Sequence, residues 1–378
     1  MATNTYLPHV GGVAQGVNRY ARGLREIGHE VKLVAPRFPG VNWPEKDLTR
    51  VPGFTKLLGS EFSYPAMTTR SLTKLMRKVG VGAKLVHSNH PFGIGDAALR
   101  LARDAGVPCV FTHWTLYEHY VQNFIPQSPQ AMQNAIVKVA TDYANACDAS
   151  IAPSGSARQL MLDAGVRTPV HVVPGAVDIE RFACGNRKLT REFLGIDSSA
   201  FVVGHVGRLS KEKGLPLLGR AMEQFLSRAP RAHFLVVGTG NAEDELKLRL
   251  GRFGSRVHFV GVQKGARLAN AYAAMDTFAF TSKSETQGLV LVEAMASGCP
   301  VVGIDAPGVR DVVVSGRNGL LLSADVAEEQ IAAALLKAQD GLAASLRRGA
   351  SDTAAQYDIV PSARRLEQFY RAVLMRRN

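Results

Sequence analysis

The feature that most limits what this chain can fold into is an alternation that starts twice. Short β-branched and aliphatic runs are separated by longer stretches of helical periodicity, once in the first half and again in the second. Strands buried on both faces read as unbroken apolar runs, and parallel neighbours need a crossover helix between them. In the first half, strands are expected at Glu30 to Ala35, Lys84 to His87, Pro108 to Thr112 and Ala149 to Pro153. They follow a helix from Val17 to Ile27 that Gly28 closes. In the second half, strands are expected at Phe201 to Val206, His233 to Val237, Val257 to Val260, Thr277 to Thr281 and Val301 to Gly303. Helices between them are expected at Leu215 to Arg228, Asp244 to Phe253, Lys264 to Met275 and Gly288 to Ser297. Proline and glycine interrupt the pattern at Pro174 to Phe182, which places a domain boundary there. A basic amphipathic helix from Ser362 to Leu374, preceded by Pro361, ends the chain. The first strand is brief: only Met1 to Thr5 precedes a loop.

Composition removes several classes. The 378 residues suit two domains of ordinary size, and 46% hydrophobic with 20% charged residues describes a globular chain. There is no apolar run of about 18 residues to span a bilayer. Met1 to Tyr6 lacks the basic and apolar regions of a secretory signal. Cys109, Cys147, Cys184 and Cys299 stand far apart, which reads as reduced thiols in a cytoplasmic protein and not as a zinc site or disulfide framework. The net charge of +13 favours anionic partners. No RNA-recognition signature, zinc-finger spacing or basic zipper is present, so nucleic acid is not expected among them.

Ligands of open α/β sheets sit outside the carboxyl ends of the strands, so the residues just beyond those ends carry the chemistry. Glu285-Thr-Gln-Gly-Leu-Val-Leu-Val-Glu293 follows the Thr277 strand. Gly288 opens a helix whose free N–H groups suit a phosphate. Glu285 and Glu293 are spaced to meet hydroxyls at opposite ends of a nucleotide sugar, or are a surface and a helix carboxylate with no common ligand. Gly207-Arg208-Leu-Ser-Lys-Glu-Lys213-Gly214 follows the Phe201 strand. Arg208 and Lys213 there suit a diphosphate and would stabilise it as it departs without a metal, or else form a solvated basic loop. Gly11 and Gly12, beside Val10, let backbone approach a ligand or make a plain turn. His113 ends the Pro108 strand, where a functional and a structural imidazole are equally at home. Gly238-Thr-Gly240 shapes a loop near a nucleotide base.

Other motifs argue for less. Gly93-Ile-Gly95-Asp-Ala-Ala98 matches a dinucleotide pattern, but Asn89-His90-Pro91 intervenes after the strand and no acidic partner follows at the right distance. No phosphate-binding Walker loop, serine-hydrolase elbow or Asp-x-Asp occurs.

Jointly, the Gly-Gly opening, His113, the Gly-Arg-Leu…Lys-x-Gly loop and the Glu-x7-Glu element resemble the GT-B glycosyltransferases of family 4 over almost the whole chain. The resemblance implies an α/β fold of two Rossmann-like domains facing each other across a cleft. Residues 1–176 would form the acceptor domain and 177–357 the nucleotide-sugar donor domain, with helix 358–378 crossing back to the first. It implies that Arg208 and Lys213 hold the donor diphosphate, assisted by backbone at Gly288, Leu289 and Val290. Glu285 would meet the donor sugar, Glu293 the ribose, His113 the sugar near its anomeric centre, and Gly12 with Gly11 the diphosphate or sugar; Gly238 completes the donor set. It further implies a retaining, metal-independent hexosyltransferase that needs no cofactor beyond its nucleotide-sugar substrate, a UDP-sugar before a GDP-sugar.

The segment His113-Trp-Thr-Leu-Tyr-Glu-His-Tyr120 is similar to one in diacylglycerol glucosyltransferases, with Trp114 departing from the usual Thr. Between Phe54 and Val81, Lys56, Arg70, Lys74, Arg77 and Lys78 mix with apolar residues, and Leu72, Leu75, Met76 and Val79 fall at helical spacing. Such a stretch either docks on anionic lipid or packs its apolar face on its own domain. The expected partners are therefore a donor and a lipid or carbohydrate acceptor, on an anionic membrane surface at the inner face of the cell membrane for a lipid. A soluble or polymeric acceptor, and a nucleotide-sugar binder without turnover, stay open.

Overall fold

The computed structural model describes residues 1–9, 11–38, 45–55, 63–117 and 129–376. The chain divides into two units, Met1–Ala176 with Ile359–Asn378, and Val177–Asp358.

In the first unit, β1 (Leu33–Pro36) and β2 (Leu48–Val51) pair in parallel, as do β5 (Val86–Ser88), β6 (Cys109–Thr112), β7 (Ala149–Ala152) and β8 (Val170–Val172). A small antiparallel ribbon, β3 (Gly53–Thr55) with β4 (Ser63–Pro65), stands beside them. The opening residues join the two parallel sets. Ala2 bridges Val34 and Ser88, donating its N–H to His87 O at 2.8 Å, while Thr3 N–H reaches Val34 O at 3.1 Å. A segment this short suffices because its neighbours β1 and β5 are themselves only four and three residues long.

Successive strand residues face opposite sides, and the first unit buries a core on each. Val34, Phe111, Leu72, Met76 and Ile94 share one; Leu33, Val110, Tyr20, Trp114 and Ile151 share the other. The closing helix Ile359–Met375 adds Leu366, Phe369 and Val373 to the second of these. It lies against the helix Gly12–Glu26 so closely that a Cβ on Gly23 would stand 2.8 Å from Ala363 Cβ.

In the second unit one parallel sheet runs in the order β11-β10-β9-β12-β13-β14. Its strands are β9 (Val202–Val206), β10 (His233–Val237), β11 (Val257–Phe259), β12 (Thr277–Phe280), β13 (Val301–Ile304) and β14 (Gly319–Leu322). The central strands β9, β12 and β13 are buried at every residue, which is why their sequences are mostly apolar and show no inside–outside alternation. The helix Leu215–Arg228 shows the local logic. Gly214 takes the left-handed conformation at its start and Pro216 sits in its first turn. Leu215, Leu218, Met222 and Phe225 then face the core.

Several expected boundaries move. The first helix begins at Gly12, not Val17, so the glycine pair is a helix start and not a free loop. β1 starts at Leu33, because the exposed Glu30 still belongs to the return from the helix, closed by His29 N–H to Leu24 O at 2.9 Å. The closing helix includes Pro361, which costs little where N–H groups have no helical acceptor. The helix expected to reach Phe253 ends at Leu250 and tightens into a 3₁₀ segment, with Gly254 at φ +54°. β14 goes unannounced in the sequence because it starts on a glycine, where a Cβ would collide with Val301 O.

Candidate functional site

At the carboxyl ends of the central strands of the second unit, two loops are zipped together by backbone. Gly207 N–H donates to Val237 O at 3.0 Å, Leu209 N–H to Thr239 O at 2.9 Å and Ala242 N–H to Leu209 O at 2.8 Å. Glycine is required on both sides. A Cβ on Gly238, which has φ +128°, would collide with Gly207 O, and one on Gly240 with Leu209 O. Gly238 thus lets the loop bearing Arg208 lie directly on its neighbour.

That loop continues into a single 3₁₀ turn, Lys211–Lys213, and places two cations beside two carboxylates. Arg208 Nη2 lies 2.7 Å from Glu212 Oε1, and Lys213 Nζ lies 2.7 Å from Glu285 Oε1. The second pair is the more enclosed, with side chains 19% and 18% exposed against 54% for Arg208. Lys213 Nζ also donates to Ser284 O and Oγ at 3.4 Å. The sequence separates Lys213 and Glu285 by 72 residues; the sheet brings them together because β9 and β12 are neighbours.

Gly288 has φ +69° and caps the helix Leu289–Ala296, so Leu289 and Val290 form its first turn, whose N–H groups have no helical acceptor. Glu293, one turn on, is buried and accepts from Tyr272 Oη at 3.2 Å. The loop after β13 closes on this one. Gly308 has φ +76°, and a Cβ there would stand 2.7 Å from Glu285 Cβ and 3.0 Å from Gln287 N. Arg208, Lys213, Glu285, Gly238, Gly288, Leu289, Val290 and Glu293 are all carried by this unit. Sequence reading missed Glu212 and Gly308. The turn signal Asp305-Ala-Pro-Gly308 after a buried strand was the available clue.

In the first unit, His113 stands just past β6 and donates its backbone N–H to Ile151 O at 2.9 Å. Its ring meets Phe111 and Tyr117 edge-on, with centroids 6.0 and 5.1 Å away. Burial holds its imidazole down at about 4, so it is neutral at pH 7. Immediately before it, Thr112 Oγ1 lies 2.6 Å from His87 Nε2, and His87 Nδ1 lies 2.5 Å from Tyr370 Oη. This chain ties the closing helix to β5 and β6. Nothing in the sequence announced it, since His87 reads as one more residue of a buried strand.

Gly11 caps the helix Gly12–Glu26, and a Cβ on it would run into His9, whereas one on Gly12 would meet nothing within 4 Å. Val10 lies outside the described residues. The glycines of the dinucleotide-like run have structural work: Gly93 takes φ +65° and donates its N–H to Asp96 Oδ2 at 2.9 Å, and a Cβ on Gly95 would collide with His90 O.

The basic stretch is the helix Thr69–Val79, with Leu72 and Met76 in the first unit's own core. Its apolar face is therefore occupied, which is the second of the two readings open for this stretch; Lys56 to Phe62 lie outside the described residues. Arg70, Lys74, Arg77 and Lys78 remain exposed. Among the described residues no helix is long and apolar enough to cross a membrane.

Known proteins share this organisation. Residues 200–340 match the family model for glycosyl transferases group 1, and residues 10–181 that for glycosyltransferase family 4. The GDP-mannose-dependent alpha-mannosyltransferase of Mycolicibacterium smegmatis is 31% identical over 345 residues, covering 89% of this chain and 87% of that protein. The alpha-monoglucosyldiacylglycerol synthase of Acholeplasma laidlawii is 27% identical over 336 residues, covering 85% and 83%. Among solved structures, Anabaena HepE in complex with UDP-glucose superposes with a TM-score of 0.76 at 21% identity, over 98% of this chain and 99% of that one.

Proposed function

Because this chain belongs to glycosyltransferase family 4 and has the two Rossmann-like units of the GT-B fold, we propose that it transfers a hexose from a nucleotide sugar to a lipid hydroxyl with retention of configuration. Sugar transfer from a nucleotide sugar is common to the family; the acceptor and the stereochemistry are our reading. The observation that carries it is the Lys213–Glu285 pair beside Arg208 and the Gly288 helix start, at the carboxyl edge of one parallel sheet.

The two cations are held by carboxylates until donor arrives. A diphosphate takes over Lys213 and Arg208, since a doubly charged ligand outcompetes a single carboxylate for both. Glu285 is then released toward the sugar hydroxyls, and the N–H groups of Leu289 and Val290 add to the phosphate contacts. Gly238 and Gly11 with Gly12 leave room for donor to approach backbone, Glu293 takes the ribose, and neutral His113 takes the sugar. As the glycosidic bond breaks, charge builds on the departing phosphate, where Lys213 and Arg208 stabilise it without a metal. The same phosphate oxygen accepts the acceptor's proton, so attack proceeds from the face that the diphosphate leaves.

The glycolipid reading draws on the Acholeplasma laidlawii synthase and on the exposed cations of the helix Thr69–Val79, which suit an anionic bilayer at the cytoplasmic face. A UDP-sugar is the proposed donor. The GDP-mannose-dependent relatives make GDP-mannose the second reading. Melting shifts with UDP-, GDP- and ADP-sugars identify the donor by mass action. Mass spectrometry and anomeric NMR of products from diacylglycerol and monoglycosyldiacylglycerol vesicles then test the transfer. A β-linked product from an α-donor overturns retention, and products on soluble sugars alone overturn the lipid acceptor.

A further inference from the structure

The fourth residue of β9 is polar in an otherwise apolar run. His205 is 1% exposed, and its ring lies nearly parallel to those of Phe278 and Phe280, at interplanar angles of 7° and 21° and centroid distances of 6.1 and 6.0 Å. The orientation of the imidazole is therefore set by its neighbours. Nδ1 lies 3.2 Å from Ala279 O. A carbonyl only accepts, so Nδ1 carries the proton, and in the neutral ring Nε2 is a bare acceptor. Burial keeps the ring neutral at pH 7, with its proton affinity pushed down to about 4. Nε2 is buried and has no hydrogen-bond partner among the described residues.

The direction of this lone pair matters. A side chain on Gly207 would begin 3.7 Å from Nε2, and the charges of Glu285 and Lys213 both act on the ring. Nε2 thus lies beneath the glycine that starts the Arg208 loop, within electrostatic range of the ion pair assigned above to the donor. A buried acceptor without a donor is unfavourable unless something fills the position.

We propose that His205 Nε2 is a further binding group of the nucleotide-sugar site, accepting a hydrogen bond from a hydroxyl of the donor. The inference rests on the nucleotide-sugar reading of the second unit. The hydroxyl belongs to the ribose or to the transferred sugar, and the arms of the test separate them.

Calorimetry would compare wild type, His205→Phe and His205→Gln with UDP, UDP-glucose, GDP and GDP-mannose. Phe keeps the ring stack without the acceptor; Gln places an amide oxygen near the position of Nε2. Weakening of about tenfold in His205→Phe, recovered in His205→Gln, is the expected result. A loss seen with nucleoside diphosphate and nucleotide sugar alike assigns the ribose; a loss confined to the nucleotide sugar assigns the transferred sugar. Binding by His205→Phe within about twofold of wild type overturns the proposal while leaving the donor site standing. Wild type that binds none of the four ligands overturns the underlying reading as well. Should His205→Phe not fold, the Nε2 nitrogen resonance of histidine-labelled wild type decides: it moves on adding the bound donor if Nε2 accepts from a hydroxyl, and an unmoved resonance overturns the proposal.

Discussion

The two units start from the same alternation of strand and helix and end with different kinds of surface chemistry. The second unit closes its strand ends with short loops that touch one another, through Gly207 and Gly238 on one side and Gly308 with Glu285 on the other. Charged groups are held there by partners a few ångströms away. The first unit splits its core in two and borrows a helix from the far end of the chain. Short glycine-rich loops on a packed sheet suit an invariant ligand such as a nucleotide diphosphate.

The largest effect expected from this contrast is on the stability of the first unit. Trp114 fills the space over Gly16 and donates its indole N–H to Asn89 Oδ1 at 2.8 Å. Trp114→Ala should cost about 3–5 kcal/mol. Hydrogen exchange should rise across residues 1–176 and stay unchanged across the second sheet. Loss of protection in both would show that the units do not melt separately.

Next comes Lys213→Ala, expected to lower kcat/KM by about 10²–10³ while circular dichroism stays that of wild type. Unchanged turnover would remove Lys213 from the site.

Acid should separate the units more subtly. Burial pushes His87 and His90 down to about 3 and His113 to about 4 in the first unit, and His205 and His258 to about 4 in the second. Below the usual value near 6.5, the unfolded chain takes up protons that these folded sites refuse. Stability therefore falls as pH drops through about 6.5 and keeps falling to about 4 in the second unit and about 3 in the first. Both tryptophans, Trp43 and Trp114, belong to residues 1–176. Tryptophan emission should shift at a higher pH than protection is lost in the second unit; coincident transitions would count against the difference.

The smallest effect concerns the membrane. Lys74→Gln and Lys78→Gln should each weaken binding to phosphatidylserine vesicles at low salt by about 1 kcal/mol, read by co-flotation. Equal flotation of wild type and variants would remove this face from any lipid contact.

Much of the second unit was legible in advance. β10 falls at His233–Val237 and the following crossover scheme needs only period and punctuation, because strands buried on both faces are written as apolar runs. The helix Leu215–Arg228 was equally plain from its apolar spacing. In the first unit, the ribbon β3–β4 and the edge strands β2 and β8 were not foreseen. Short half-exposed strands carry little hydrophobic signal.

By itself the sequence determined the α/β alternation, its restart, and which residues end up just beyond strand ends, because local propensity and burial both write a period into the chain. Only tertiary structure decided that Lys213 meets Glu285, that the helix Thr69–Val79 spends its apolar face on its own core, and that His205 keeps an open lone pair. Partners of that kind are chosen by strand order and close backbone approach, which lie far apart in sequence and leave no periodic trace.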